Sequence, residues 1–198
     1  RLLARLPRRR ARVGLLGGSF NPAHDGHLYI SQVALHRLGL DRVWWLVSPG
    51  NPLKKKTGMA SLQARLSRAH LIAGRSRIDA SDLEREIHTV YTVDTVRHLT
   101  RELPHIRFVW LMGADNLTQI CEWRRWPLLF GTLPIAVFDR PTYARKALLS
   151  QAGRVFARSR LPSRVAASLA SSKSPAWVFV RARSHPESGT RLRRLGTW

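Results

Sequence analysis

The feature that most constrains the fold is the stretch Gly17–His27, which joins a predicted strand to a predicted helix. Before it, Val13–Leu16 is a short apolar run typical of a buried strand. After it, apolar residues recur at helical spacing over residues 28–38. The stretch opens with two glycines, which let the backbone approach a ligand closely because they carry no Cβ. The segment therefore predicts a strand, a ligand-binding turn and a helix.

The residues around the predicted helix start favour an anion. Asp25 is expected to cap the helix, whose unpaired N–H groups and positive dipole end attract negative charge. His24 and His27 are three residues apart, so both imidazoles can face one point. Together these features predict a phosphate site. The stretch does not have the spacing of the dinucleotide fingerprint Gly-x-Gly-x-x-Gly. It is not a Walker A loop either, because no Gly-Lys-Ser/Thr is present.

The full string Gly-Gly-Ser-Phe-Asn-Pro-x-His-x-Gly-His resembles the nucleotidyltransferase signature. Its form is similar to that of the nicotinate-nucleotide adenylyltransferases in particular. The resemblance implies that His24 and His27 are catalytic and hydrogen-bond the phosphates of ATP, and that Asn21 lies on the side of nicotinate mononucleotide. The residues that it assigns to ATP here are Gly17, Gly18, Ser19, Phe20, His24 and His27.

Strands alternate with helices over about 185 residues, which predicts an α/β domain with one doubly wound parallel sheet. The resemblance implies a Rossmann-like nucleotidyltransferase fold with a small C-terminal helical segment. We expect a basic, disordered extension over residues 1–11 and one domain over 12–198. The predicted strands are 13–16, 43–47, 77–81, 106–112, 134–138 and 176–182. The predicted helices are 28–38, 62–73 and 93–103, with one or two short helices and a loop in 142–175.

Further motifs fall at or after predicted strand ends, where ligands bind in such sheets. An Asn-Pro-Leu-Lys string resembles the family's and implies that Lys54 neutralises substrate phosphates, in both a catalytic and an acceptor-binding role. The Tyr-Thr-x-Asp-Thr motif implies that Thr92, also a reasonable helix cap, lies near the nicotinate carboxylate. Trp123 matches the position at which the family stacks an indole on the pyridine ring, and Arg140 matches an arginine on the substrate side.

Two more segments point to ATP. A second glycine turn places Gly113 and Asp115 at the nucleotide by resemblance, although Asp115 could also cap the following helix. The segment 187–193 resembles the family's Ile-Ser-Ser-Thr-x-Ile-Arg motif, but Glu187 and Gly189 depart from it. The residues that still match, and that are expected to bind ATP, are Ser188, Thr190 and Arg193.

The resemblance implies adenylyl transfer from ATP to nicotinate mononucleotide, which gives deamido-NAD and pyrophosphate. No activated nucleophile is evident, because Cys121 is the one cysteine and no Ser/His/Asp order stands out. No carboxylate cluster could hold a metal by itself, so Mg²⁺ is expected to arrive with ATP. Pantetheine-phosphate adenylyltransferases and cytidylyltransferases share the His-x-Gly-His element but lack the Tyr-Thr-x-Asp-Thr and tryptophan motifs. The sequence does not decide between nicotinate and nicotinamide mononucleotide.

Charge leaves a second class of function open. Lys and Arg number 34 against 12 Asp and Glu, a net charge of +22. We favour a solvated basic surface without a specific nucleic-acid partner, because no nucleic-acid module is recognisable. A nucleotide sensor or an RNA-associated protein is the alternative. The single cysteine and the lack of a long apolar run favour a cytoplasmic protein without a membrane anchor. The sequence leaves open whether it is a monomer or a homodimer.

Overall fold

A computed structural model describes residues 10–50, 58–140 and 142–181. Seven parallel strands form one sheet in the order β3-β2-β1-β4-β5-β7-β6. The strands are β1 (Arg12–Gly18), β2 (Arg42–Val47), β3 (Ile78–Ser81), β4 (Arg107–Gly113), β5 (Ile135–Phe138), β6 (Arg160–Leu161) and β7 (Trp177–Val180). The helices are α1 (Asp25–Arg37), α2 (Leu62–Ala73), α3 (Leu83–Glu86), α4 (Thr92–Glu102), α5 (Ala114–Gln119), α6 (Trp126–Thr132), α7 (Ala144–Leu148) and α8 (Gln151–Val155). Short 3₁₀ segments cover Ile120–Glu122, Ala157–Ser159 and Ser163–Ser171.

The sheet is buried on both faces, which explains why its strands are continuous apolar runs in the sequence. In β4, Phe108, Trp110 and Met112 pack into one apolar cluster. Val109 and Leu111, which alternate with them, pack into a second cluster on the opposite face. The predicted doubly wound parallel sheet is therefore confirmed.

The order of the strands decides where a ligand can bind. From β1 the chain runs outward through β2 and β3 on one side, and through β4 and β5 on the other. In such a sheet the crevice for ligands lies outside the carboxyl ends of the strands where the direction reverses, here β1 and β4. Both strands end in glycine, at Gly18 and Gly113.

The six predicted strands and the three helices with predicted bounds are all present, with ends shifted by at most three residues. The sequence did not predict the two short helices α3 and α6 or the edge strand β6, and it indicated α5 only as a helix that Asp115 could cap. Strand β6 has two residues and pairs only with β7, so it is too short to show an alternating pattern. The stretch 142–175 does contain two short α-helices, α7 and α8.

The packed core extends to both ends of the described region. Ala11 is buried, and its carbonyl accepts a hydrogen bond from Arg107 N at 2.8 Å. The predicted C-terminal helical segment lies outside the described residues, as do residues 1–9. Within the described part of the chain, no helix is both long and apolar enough to cross a membrane.

Candidate active site

The histidine pair lies at the start of α1, but its role in capping differs from the prediction. His24, not Asp25, occupies the N-cap position, and its Nδ1 accepts a hydrogen bond from Gly26 N at 3.1 Å. His27 completes a capping box, because its Nδ1 accepts from His24 N at 3.3 Å. An imidazole nitrogen can accept a hydrogen bond from a helix amide, as the hydroxyl oxygen of a serine does. The usual residue preferences for helix caps do not include histidine.

These two hydrogen bonds determine which nitrogen of each neutral ring carries the proton. Since each Nδ1 accepts a hydrogen bond, the neutral ring carries its proton on Nε2. Burial lowers the pKa of His27 well below its usual range, and the nearby charges of His24 and Arg140 lower it further. The ring centroids are 3.9 Å apart. The site therefore presents a pair of adjoining imidazoles whose N–H groups can donate to an anion.

The rings of Phe20 and Trp45 pack against His27 and form an aromatic platform. The His27 ring lies 4.6 Å from the ring of Phe20 and 5.9 Å from that of Trp45. The Trp45 indole N–H donates to Ser31 Oγ at 2.8 Å, and Ser31 Oγ donates to His27 O at 2.8 Å. The Phe20 side chain is buried in this platform, so any contact of Phe20 with ATP would come from its backbone.

The two glycines of the first turn serve different purposes. A Cβ on Gly17 would lie 2.5 Å from Cη2 of Trp110, so packing alone requires glycine there. At Gly18 the nearest atom to such a Cβ is Cε2 of Phe20, at 3.5 Å, which is ordinary contact. Packing among the described residues therefore does not require glycine at position 18. The missing side chain leaves the backbone exposed at this point of the turn.

Trp123 is connected to this turn through Trp110. The two indoles meet edge to face with centroids 6.4 Å apart, and Trp110 lies directly beneath Gly17. Trp123 packs against the apolar cluster on the α4 side of the sheet, whereas His27 contacts Phe20 and Trp45 on the opposite side. The two groups thus approach the carboxyl end of β1 from opposite faces.

Asp115 and Arg140 meet where β4 and β5 end. Arg140 Nε lies 3.3 Å from Asp115 Oδ1, and Arg140 also acts electrostatically on His27. Asp115 does not cap α5, because Gly113 holds the N-cap position. Among the described residues, the buried Oδ1 atom of Asp139 has no hydrogen-bond partner, and that of Asp115 has the ion pair with Arg140 but no hydrogen bond. Such acceptors are suited to ligand hydroxyls, because a buried polar atom without a partner is costly.

Thr92 is the first residue of α4 and not its cap. Tyr91 occupies the N-cap position without a side-chain hydrogen bond. The guanidinium of Arg124 lies over the Tyr91 ring, 4.6 Å from its centroid. This contact brings the segment of Trp123 beside the start of α4, as the predicted acceptor site requires.

Asn21 is tied to the segment that leads into α2. Its Nδ2 donates to Gly58 O at 3.2 Å, and its Oδ1 accepts from Ala60 N at 3.2 Å. Four of the predicted site residues lie outside the described residues, namely Lys54, Ser188, Thr190 and Arg193.

Sequence reasoning missed two buried charged residues beside the site. Arg65 of α2 is 1% exposed, and burial lowers its pKa. Glu84 of α3 is 6% exposed, and burial raises its pKa to about 7 against the effect of hydrogen bonds with Ser48 and Thr95. Each looks in the sequence like an ordinary surface charge. Only their buried positions mark them as parts of the site's framework.

The part of the chain that the structure describes offers no ready cluster of metal ligands. Within residues 10–50, 58–140 and 142–181, no three His, Cys, Asp or Glu side chains come together as metal ligands. The site's charges are instead imidazoles, guanidinium groups and separated carboxylates, which suit phosphates and hydroxyls.

Three kinds of similarity to known proteins bear on this site. The cytidylyltransferase-like family model matches residues 15–195. A protein of Parvibaculum lavamentivorans named probable nicotinate-nucleotide adenylyltransferase is 50% identical over 187 residues, 94% of this chain and 93% of that protein. A protein of Gluconobacter oxydans with the same name is 49% identical over 93% of this chain and 95% of its own length.

Solved structures share the fold. The nicotinic acid mononucleotide adenylyltransferase of Plasmodium falciparum in complex with NaAD has a TM-score of 0.70 at 15% identity. The same enzyme in complex with APC has a TM-score of 0.68. Both matches cover 93% of this chain and 83% of the other. At this identity the likeness concerns the path of the backbone.

Proposed function

The chain belongs to the nicotinate-nucleotide adenylyltransferase family, and from this premise we propose that it transfers the adenylyl group of ATP to nicotinate mononucleotide. The observation that carries the proposal is the histidine pair at the start of α1, next to the carboxyl end of β1. Two imidazoles whose Nδ1 atoms accept hydrogen bonds from the backbone offer preorganised donors to a polyphosphate.

The reaction needs no protein nucleophile. A phosphate oxygen of nicotinate mononucleotide forms a bond to the α-phosphorus of ATP, and the bond from that phosphorus to the β-phosphate oxygen breaks. Deamido-NAD and pyrophosphate result. Because the acceptor phosphate is already ionised, the protein contributes positioning and charge stabilisation. His24 and His27 hydrogen-bond the transferring and leaving phosphates, and Lys54 neutralises their charge.

The remaining site residues divide between the ATP side and the acceptor side of the site. On the ATP side, Gly17, Gly18 and Ser19 bring the backbone to the phosphates, and Asp115 accepts from the ribose hydroxyls. On the acceptor side, Trp123 stacks on the pyridine ring and Thr92 meets the nicotinate carboxylate. Arg140, which lies between Asp115 and His27, is placed to contact phosphate from either substrate. Mg²⁺ enters as part of the ATP substrate. The cytoplasmic location of the protein remains a prediction.

The test is an acceptor assay with purified protein. With ATP, Mg²⁺ and nicotinate mononucleotide we expect deamido-NAD and pyrophosphate in equal amounts. Replacing one donor to the transition state costs about 10²–10³ in rate, so His27→Ala should lose that factor in kcat. His36→Ala is the matched control, since His36 is exposed in the last turn of the same helix.

The outcome also decides among acceptors. Nicotinamide mononucleotide and phosphopantetheine are run in parallel as acceptors, and a cytidylyl donor replaces ATP in a separate reaction. No product from nicotinate mononucleotide, or full activity in His27→Ala, contradicts the proposal.

A further inference from the structure

Arg65 makes an unusual set of contacts for a buried cation. Its Nη1 donates to Ser19 O at 2.6 Å and to Ser48 O at 2.8 Å. Its Nε donates to Ala60 O at 3.0 Å, and its Nη2 lies 3.5 Å from Pro49 O. All four acceptors are backbone carbonyls, and among the described residues no carboxylate forms an ion pair with this guanidinium.

The four carbonyls belong to three separate segments of the chain. Ser19 follows the glycine turn at the end of β1, where the ATP phosphates are expected. Ser48 and Pro49 follow β2, and Ala60 precedes α2. Arg65 therefore links the phosphate turn to both ends of the β2–α2 connection.

Neighbouring contacts reinforce this junction. Ser48 N donates to Gly18 O at 2.9 Å, so the ends of β1 and β2 are joined next to the Arg65 bonds. Asn21 holds Ala60 N, whereas Arg65 holds Ala60 O. A guanidinium has five donors in a rigid plane and can meet several carbonyls at once, which a lysine ammonium cannot do with the same geometry.

We propose that Arg65 is a positioning residue for adenylyl transfer, which sets the glycine turn at Ser19 against the β2–α2 connection. The inference rests on the proposed function, since it assigns the turn to the ATP phosphates. Arg65 is buried beneath the turn and touches no substrate. Its loss displaces the turn while leaving most binding contacts in place.

Arg65→Lys is the first test, with Arg68→Lys on the same helix as the matched control. A displacement of about 1 Å can cost about 10²-fold in rate, so we expect kcat to fall about 10- to 100-fold in Arg65→Lys. KM for ATP and for nicotinate mononucleotide should change less than about threefold. Arg68→Lys should match the wild type. A folded Arg65→Lys protein with wild-type kcat overturns the proposal. So does a variant whose loss of activity equals the fraction of its molecules that are unfolded.

Hydrogen exchange gives a readout that does not depend on activity. In Arg65→Lys, amides in residues 16–21 and 46–50 should exchange faster, while those of β4 and β5 should not change. Unchanged exchange in both segments contradicts the proposal, whichever substrate the enzyme takes. A wild type that is inactive with nicotinate mononucleotide would instead refute the proposed function alone.

A measurement on the wild type covers the case in which Arg65→Lys does not fold. The Arg65 guanidinium resonances should stay resolved and slow to exchange, and they should shift when ATP alone is added. Those of Arg68 should not shift. Arg65 resonances that stay unchanged at saturating ATP overturn the proposal.

Discussion

His24 combines two tasks at the residue scale. As N-cap it satisfies the amide of Gly26, and as a buried imidazole it lies 3.9 Å from His27. A structural need and a chemical need therefore act on the same side chain. Substitutions that keep one task and remove the other can separate them.

We expect His24→Ala and His24→Asn to differ in stability but not in activity. Asn is among the best N-cap residues, and losing a cap costs about 1 kcal/mol, so the Ala variant should be the less stable by about that amount. Both lose the imidazole and should lose about 10²–10³ in kcat. Thermal unfolding and steady-state kinetics measure the two effects. An active His24→Asn enzyme would show that capping is the residue's only task.

At the element scale, α3 places Glu84 between the end of β2 and the start of α4. Thr95 Oγ1 donates to Glu84 Oε1 at 3.4 Å, and Ser48 is hydrogen-bonded to the same carboxyl group. Thr89 and Thr95 also share a hydrogen bond of 2.8 Å. A small helix thus connects the β2 end, which Arg65 also holds, to the helix that begins the predicted acceptor site.

The raised pKa of Glu84 predicts how stability depends on pH. Its pKa is about 7 in the folded protein and about 4.5 in the unfolded chain, so the folded state holds the proton more tightly. Its contribution is complete below the unfolded value and is lost as pH rises to about 7. This corresponds to about 3 kcal/mol at most. His27 acts in the opposite sense, because its lowered pKa costs stability as pH falls below its unfolded value.

Glu84→Gln isolates the first effect. We expect the free energy of unfolding of the wild type, relative to Glu84→Gln, to fall between about pH 4.5 and 7 and then level off. Denaturant unfolding at several pH values measures it. Glu86→Gln, at an exposed position of the same helix, serves as the control. A constant difference between wild type and Glu84→Gln across this range would contradict the raised pKa.

At the scale of the whole molecule, positive charge is concentrated toward the C-terminal half of the sheet. Residues 142–181 contain no Asp or Glu, and all of their Lys and Arg side chains are exposed. The cations of this segment are Arg145, Lys146, Arg154, Arg158, Arg160, Arg164, Lys173 and Arg181. Such a field attracts any polyanion, nucleotide substrates included.

Salt dependence distinguishes general attraction from a specific RNA partner. We expect binding of unrelated single-stranded RNAs to be similar in strength and to fall steeply between about 50 and 200 mM salt, because counterion release supplies most of it. Fluorescence anisotropy with several sequences measures this. Preference for one sequence that survives at about 200 mM salt would favour the RNA-associated alternative.

Local sequence was enough to predict the parts of this protein that depend on neighbours along the chain. Apolar runs gave the long strands, since strands buried on both faces must be apolar throughout. The string Gly17–His27 predicted the turn, the helix start and the histidine pair. The short elements α3, α6 and β6 were not predicted, because three-dimensional packing stabilises them more than their own sequence does.

The arrangement across the fold was settled only in three dimensions. The switch between β1 and β4 and the buried states of Arg65 and Glu84 depend on atoms far apart in sequence. The carbonyl of Ser19 and the guanidinium that binds it are 46 positions apart. A charged residue has the same letter whether water or backbone carbonyls surround it, so only the tertiary structure shows which of this chain's many arginines is buried beneath the phosphate turn.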